Sequence, residues 1–290
     1  MVEIAQRGIE VNGIEFTYLT IGDGPLALCL HGFPDSAHTW RHLLPQLAAG
    51  GYCAVAPFQR GYAPTAVPAD GRYQSGMLAL DAIGFHEALG GDAPAVIIGH
   101  DWGATATWGA ASHAPERWRK VVGLAVPPGG AMSAVFLGNL TQLKRSWYMF
   151  FFQHGLAEFV VTANDLAFID MLWADWSPGY AAEADLVHVK DALRDPANLT
   201  AALGYYRAAL GDGFVDPALV DVQSATQAVP TQPTLYLHGA SDGCIGSEVA
   251  EWARREVPDN IQIEIVGGGG HFLHVEQPDA VNARIMEFLA

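Results

Sequence analysis

Residues 99–103 read Gly99-His100-Asp101-Trp102-Gly103, directly after the apolar run Ala95-Val96-Ile97-Ile98 and before a helix-compatible stretch. So abrupt a passage from buried strand to helix holds its central residue in a strained backbone conformation. Glycines two places to either side relieve the crowding where strand and helix nearly touch. The pattern is that of a nucleophile elbow with aspartate where serine usually stands. Five residues alone carry a high false-positive risk; the strand-turn-helix setting is what gives them weight.

That setting recurs along the chain. Leu26-Ala27-Leu28-Cys29-Leu30 is a continuous apolar run ending at His31-Gly32, as expected of a strand buried on both faces. A helical pattern follows through Trp40, Leu43, Leu44 and Leu47. The alternation continues with a strand over Tyr52 to Pro57, a helix over Met77 to Ala88, and strands over Ala93 to Gly99 and Val121 to Val126. Such a rhythm predicts an α/β chain, a mostly parallel central sheet flanked by helices. Pro127-Pro128-Gly129-Gly130 breaks it, and an aromatic-rich helical stretch follows. The rhythm resumes with a strand over Thr234 to Leu237, a helix near Val249 to Arg255, a strand over Ile261 to Val266 and a last helix opened by Pro278. The expected organisation is a discontinuous core domain, 1–127 and 225–290, carrying a helical insert over 128–224. A chain of 290 residues, half of them hydrophobic, can bury one large core and still carry such an insert.

Composition narrows the partners. Fifteen Lys plus Arg against 31 Asp plus Glu give a formal charge of -16, which repels a phosphate backbone and argues against nucleic acid. No segment runs uncharged and apolar long enough to cross a bilayer, and Met1 to Arg7 has no apolar stretch after its charges. The expectation is a cytoplasmic protein away from membranes, with a homo-oligomer left open. Cys29, Cys53 and Cys244 lack paired metal-ligand spacing and read as buried reduced thiols.

With the elbow, the rhythm and the insert in place, the chain resembles the α/β-hydrolase superfamily over nearly its whole length. Within it, the chain resembles the epoxide hydrolase and haloalkane dehalogenase branch, which attacks with an aspartate. His31-Gly32-Phe33-Pro34 resembles the oxyanion-loop motif, which implies that the backbone N–H groups of Phe33 and Trp102 form the oxyanion hole. Gly270-His271-Phe272-Leu273-His274-Val275-Glu276-Gln277-Pro278 resembles the histidine loop and implies a catalytic His271, with His274 the competing candidate. Asp242, in Leu237-His238-Gly239-Ala240-Ser241-Asp242-Gly243, follows the seventh family strand and is the implied third member of the triad, although an Asp beside Gly243 also suits a plain turn. The resemblance puts the insert, as a cap, after the sixth family strand.

The carboxylate bears on the reaction. Attack on saturated carbon by serine would leave an ether that cannot be hydrolysed, whereas attack by Asp101 leaves an ester with an electrophilic carbonyl. An opening epoxide develops an alkoxide that needs a proton; a departing halide needs only N–H donors. Trp147-Tyr148-Met149-Phe150-Phe151-Phe152-Gln153 resembles the first cap tyrosine motif of epoxide hydrolases and Tyr205-Tyr206-Arg207 the second, so Tyr148 and Tyr206 are the implied ring-opening acids. Aromatic residues at helical spacing are otherwise commonly core. A haloalkane dehalogenase using the same triad, with Trp147, Trp173 or Trp176 as a second halide donor, and a non-catalytic ligand-binding protein are the alternatives. His31, Pro34, Trp147, Phe151 and Trp173 are candidate pocket residues. Phe150, Phe151, Phe152, Phe159, Phe168 and Trp173 suggest an apolar pocket and an apolar epoxide. The mechanism calls for water but no cofactor or metal. One departure is Phe58 in Pro57-Phe58-Gln59-Arg60-Gly61-Tyr62, where the family usually has an acidic residue.

Overall fold

The computed structural model describes residues 3–91 and 93–290. Its first two strands, β1 (Ala5–Val11) and β2 (Ile14–Ile21), form an antiparallel hairpin. The sequence reading had not placed these strands, although their signal is there: Asn12 and Gly13 turn with φ of 51° and 74°, the Asn-Gly hairpin chemistry. Ile14, Phe16 and Tyr18 alternate inward. The remaining strands are β3 (Leu26–Leu30), β4 (Cys53–Pro57), β5 (Ala95–His100), β6 (Trp118–Leu124), β7 (Thr234–Gly239) and β8 (Ile261–Val266). The sheet order is β1-β2-β4-β3-β5-β6-β7-β8, and every pairing from β4 onward is parallel.

β3, β5 and β7 are buried along their whole lengths, which is why they read as continuous apolar runs. Their residues alternate between two cores. Leu28, Ile97 and Tyr236 face one; Cys29, Ile98 and Leu237 face the other. β6 begins earlier than the sequence suggests and stops at Leu124, because Ala125 turns to φ 67°.

α1 (Leu44–Ala49), α2 (Ser75–Phe85) and α3 (Trp102–His113) connect the first half of the sheet. The expected helix to Ala88 keeps α geometry only to Phe85 and then loosens into a π-turn over His86–Gly90. Between β6 and β7 the chain is helical: α4 (Ala131–Gly138), α5 (Leu140–Arg145), α6 (Trp147–Phe151), α7 (Ala157–Trp176), α8 (Glu183–Leu193), α9 (Pro196–Leu210) and α10 (Val220–Ala225). α7 is kinked, with positive φ at Asn164, Asp165 and Leu166. After β7 come α11 (Ser247–Glu256), α12 (Leu273–Glu276) and α13 (Pro278–Leu289). No helix among the described residues is long and apolar enough to cross a membrane.

The helical insert is tied to the loops at the carboxyl ends of the strands. Trp173 Nε1 donates to the Pro34 carbonyl (2.9 Å), Tyr205 Oη to that of Arg60 (2.8 Å) and Asn198 Nδ2 to that of Gly61 (2.7 Å). The loop in which Phe58 departs from the family pattern is itself anchored, since buried Arg60 makes a two-pronged bond to Asp81 at 2.7 and 2.9 Å.

The elbow leaves no room for a side chain at its glycines. A Cβ on Gly103 would lie 2.1 Å from the Leu30 carbonyl oxygen, and one on Gly99 2.2 Å from that of Gly103. Gly103→Ala is therefore expected to destabilise the protein by about 1–3 kcal/mol, read as a lower urea midpoint. An unchanged midpoint would contradict this packing.

Candidate active site

Asp101 sits between β5 and α3 with φ 54° and ψ -120°, a conformation few non-glycine residues adopt. The turn lifts its carboxylate off the sheet edge. Oδ1 accepts the Phe33 N–H at 2.8 Å. Gly32 makes this approach possible, because a Cβ there would fall 2.3 Å from that same oxygen. Trp102, the first residue of α3, has a backbone N–H with no acceptor inside its own helix.

His271 stands across from Asp101, its Nε2 3.7 Å from Oδ2, while its Nδ1 donates to Asp242 Oδ2 at 2.9 Å. Asp242 Oδ1 accepts the N–H groups of Cys244 and Ile245, both at 2.8 Å. Burial works against the charged form of Asp242, but the adjacent imidazole and these N–H donors outweigh it and hold the carboxyl below its usual range. Burial would likewise lower His271; the carboxylates of Asp242 and Asp101 outweigh it and push the imidazole up to about 10. In the resting site His271 is thus a cation between two carboxylates.

His274 takes a different place. Its Nε2 lies 2.5 Å from Thr39 Oγ1 and its ring stacks on Trp40, so His271 alone of the two pairs with Asp242. His100 donates Nε2–H to the His271 carbonyl at 2.9 Å and so pins the histidine loop from behind. Among the described residues, two triplets hold metal-ligand atoms within 4.8 Å of one another: Asp35, His100 and His274, and Asp242, Cys244 and His271. In the second the His271 and Asp242 atoms are already bonded to each other.

Tyr148, on α6, and Tyr206, on α9, are buried in an aromatic cage with ring centroids 5.6 Å apart. Tyr206 packs edge-on against Trp102 and Phe33, each at 5.2 Å. Burial, aided by the charge of Asp101, pushes both phenols well above their ordinary range, so both keep their protons. Asp101, Trp102, Tyr148 and Tyr206 line one cavity of about 390 Å³. Its apolar wall includes Met132, Phe136, Met149 and Ile245; Ser75, Gln223, Thr226 and Gln227 line a polar part, and among the described residues Asp101 is the single charged one on the wall.

The pocket candidates read from the sequence lie elsewhere. His31 is wholly buried, its ring accepting the Gln59 N–H at 3.0 Å. The Pro34 carbonyl is taken by Trp173, whose indole stacks on Phe272 at 3.6 Å. Trp147 is 43 % exposed, and Phe151 packs against Phe168. None of the five is on the cavity wall. Phe150 and Phe159, at 50 % and 75 % exposure, are surface residues, so the aromatic run of the insert mostly packs the insert or faces water. Conversely, the reading missed His238, 3.9 Å from Asp242 and bonded to Tyr236 and Ile245, and Gln142, a buried amide in α5. A histidine ending the apolar strand β7 two residues before Ala240 was a usable signal; Gln142 offered none.

The α/β hydrolase fold family matches residues 25–278, and the chain belongs to that family. An AB hydrolase superfamily protein of Bacillus subtilis is 29% identical over 97% of this chain and 96% of its own. Epoxide hydrolase 4 of Mus musculus is 30% identical over 97% of this chain and 78% of its own. Among solved structures, a variant epoxide hydrolase from Bacillus megaterium complexed with its naphthyloxy-propane-1,2-diol product superposes with a TM-score of 0.82 at 26% identity, covering 98% of this chain and 99% of that one. Within the family, then, the chain groups with the epoxide hydrolases.

The raised pKa of His271 has a consequence for stability. The folded protein binds the proton more tightly than the unfolded chain, so the contribution is complete below about pH 6.5 and is lost as pH rises toward about 10. The melting temperature of the wild type should fall relative to His271→Gln between pH 7 and 10. Parallel curves across that range would refute the ion pair.

Proposed function

We propose that the protein is an epoxide hydrolase, a hydrolase acting on an ether bond, that converts a neutral, largely apolar epoxide to a vicinal diol through an alkyl ester on Asp101. The observation that carries this reading is one cavity lined together by Asp101, Tyr148 and Tyr206. Phe33 N–H occupies Oδ1 and leaves Oδ2 to attack. As Oδ2 bonds to a ring carbon, the ring C–O bond breaks and its electron pair goes to the oxygen, which takes a proton from a phenol. Residues 128–224 act as the cap that brings those phenols over the nucleophile.

Esterification also readies the second step. It removes the negative charge of Asp101, one of the two that raise His271, so the imidazolium gives its proton to the phenolate and takes the neutral form that accepts a proton from water. The hydroxide adds to Cγ while Oδ1, already against the Phe33 N–H, carries the oxyanion; such a donor is worth on the order of 3 kcal/mol. Collapse of the intermediate breaks the Cγ–Oδ2 bond. The diol leaves with Oδ2 and the His271 proton, and Asp101, protonated with the water oxygen in it, gives its proton to the neutral His271 and so restores the resting ion pair.

The dehalogenase alternative has less support. Trp173 spends its N–H on Pro34, Trp147 faces solvent, and Trp176 is not on the cavity wall, so Trp102 has no second indole from this set beside it. A binding protein would not require the His271–Asp242 pair at all. The cavity size and its single charge suit aryl or alkyl epoxides, in keeping with the aryloxy diol product of the Bacillus megaterium relative.

The test is turnover of styrene oxide beside 1-bromobutane, with diol and bromide measured separately. Diol without bromide is expected, and bromide without diol would overturn the reading. Asp101→Ala should abolish turnover. His271→Gln should accumulate protein heavier by one substrate, and a single wild-type turnover in H₂¹⁸O should label the protein rather than the diol. Tyr148→Phe and Tyr206→Phe should each slow ring opening by about 10²-fold.

A further inference from the structure

Cys244 touches both halves of the proposed chemistry. Its backbone N–H donates to Asp242 Oδ1 at 2.8 Å, and its Sγ lies 3.3 Å from the Tyr148 hydroxyl, both side chains being buried. The segment that carries it is clasped from the insert by Gln142. That amide donates Nε2–H to the Cys244 carbonyl (2.9 Å) and to Ser146 Oγ (3.0 Å), and its Oε1 accepts the Gly246 N–H (2.9 Å). Every bond the Gln142 amide makes therefore fixes the height of Cys244 against α6.

The two phenols differ in this respect. The Tyr206 hydroxyl, buried beside Trp102 and Tyr148, makes no hydrogen bond within 3.5 Å among the described residues, whereas Tyr148 has the thiol. A thiol is a weak acceptor, so it does not compete strongly for the phenol proton, and it is also a donor. Burial keeps the Cys244 thiol protonated.

Building on the epoxide-hydrolase reading, we propose that Cys244 is a positioning residue for ring opening: it holds Tyr148 as the proton donor and turns its S–H to the phenolate that forms, leaving Tyr206 as a hydrogen-bond donor only. The phenol proton moves from Tyr148 Oη to the opening oxygen as the ring C–O bond breaks. The S–H proton stays on sulfur. One such hydrogen bond to a developing anion corresponds to about tenfold in rate.

The experiment is stopped-flow alkylation and ester hydrolysis with styrene oxide for wild type, Cys244→Ala and Cys244→Ser, each also combined with Tyr148→Phe and with Tyr206→Phe. Cys244→Ala should slow alkylation about tenfold and leave hydrolysis within about twofold, because the N–H to Asp242 is unchanged. Cys244→Ser, a stronger donor, should restore alkylation and keeps the test alive if the alanine variant fails to fold. The alanine effect should vanish in Tyr148→Phe and persist in Tyr206→Phe. An unchanged alkylation rate, equal slowing of both steps, or an effect that survives Tyr148→Phe would overturn the assignment. Absence of any covalent ester in the wild type would instead overturn the epoxide-hydrolase reading beneath it.

Discussion

Asp101 holds φ 54° between a fully buried strand and the helix that follows, and the surrounding backbone leaves space for that conformation only because three neighbours lack a Cβ. Gly99 and Gly103 let β5 and α3 close on each other, and Gly32 lets the loop that carries Phe33 come up beside the carboxylate. A strained residue of this kind costs of order 1–3 kcal/mol. The packing of β5 between β3 and β6, with Ile97 and Ile98 in opposite cores, offsets that cost and fixes the turn. Once the turn is fixed, the two oxygens of Asp101 differ: one is bonded to Phe33 N–H, and the other faces His271.

Low dielectric then acts on the site in two directions. Burial, aided by the charge of Asp101, keeps the phenols of Tyr148 and Tyr206 neutral. His271 is just as buried yet lies between two carboxylates, so it is kept charged. Two neutral phenols and a charged imidazole thus coexist around one carboxylate, separated by what each has next to it. The insert supplies the two tyrosines, and the loops at the strand ends supply Asp101, Asp242 and His271. The Gln142 amide, Trp173 and Tyr205 are the bonds that hold one over the other.

How much of this could be read beforehand varied with the kind of signal. The inner strands were legible because burial on both faces leaves uninterrupted apolar runs, and the expected triad positions followed from short motifs at strand ends. The N-terminal hairpin carried its Asn12-Gly13 turn but was passed over, since its alternation is half polar. The pocket was the poorest reading: Trp147, Phe151 and Trp173 are as aromatic as Tyr148 and Tyr206, yet Trp147 faces solvent, Phe151 packs on Phe168 and Trp173 stacks on Phe272. Local sequence by itself determined the parallel sheet, the elbow with its carboxylate, the glycines that permit it and the order of Asp101, Asp242 and His271 along the chain, because these depend on residue type and near-neighbour sterics. Only the tertiary structure decided which side of each insert helix faces Asp101, which of two histidines meets Asp242, and that Cys244 lies against Tyr148. Those outcomes depend on contacts between segments some thirty to a hundred residues apart, where no local periodicity reports them.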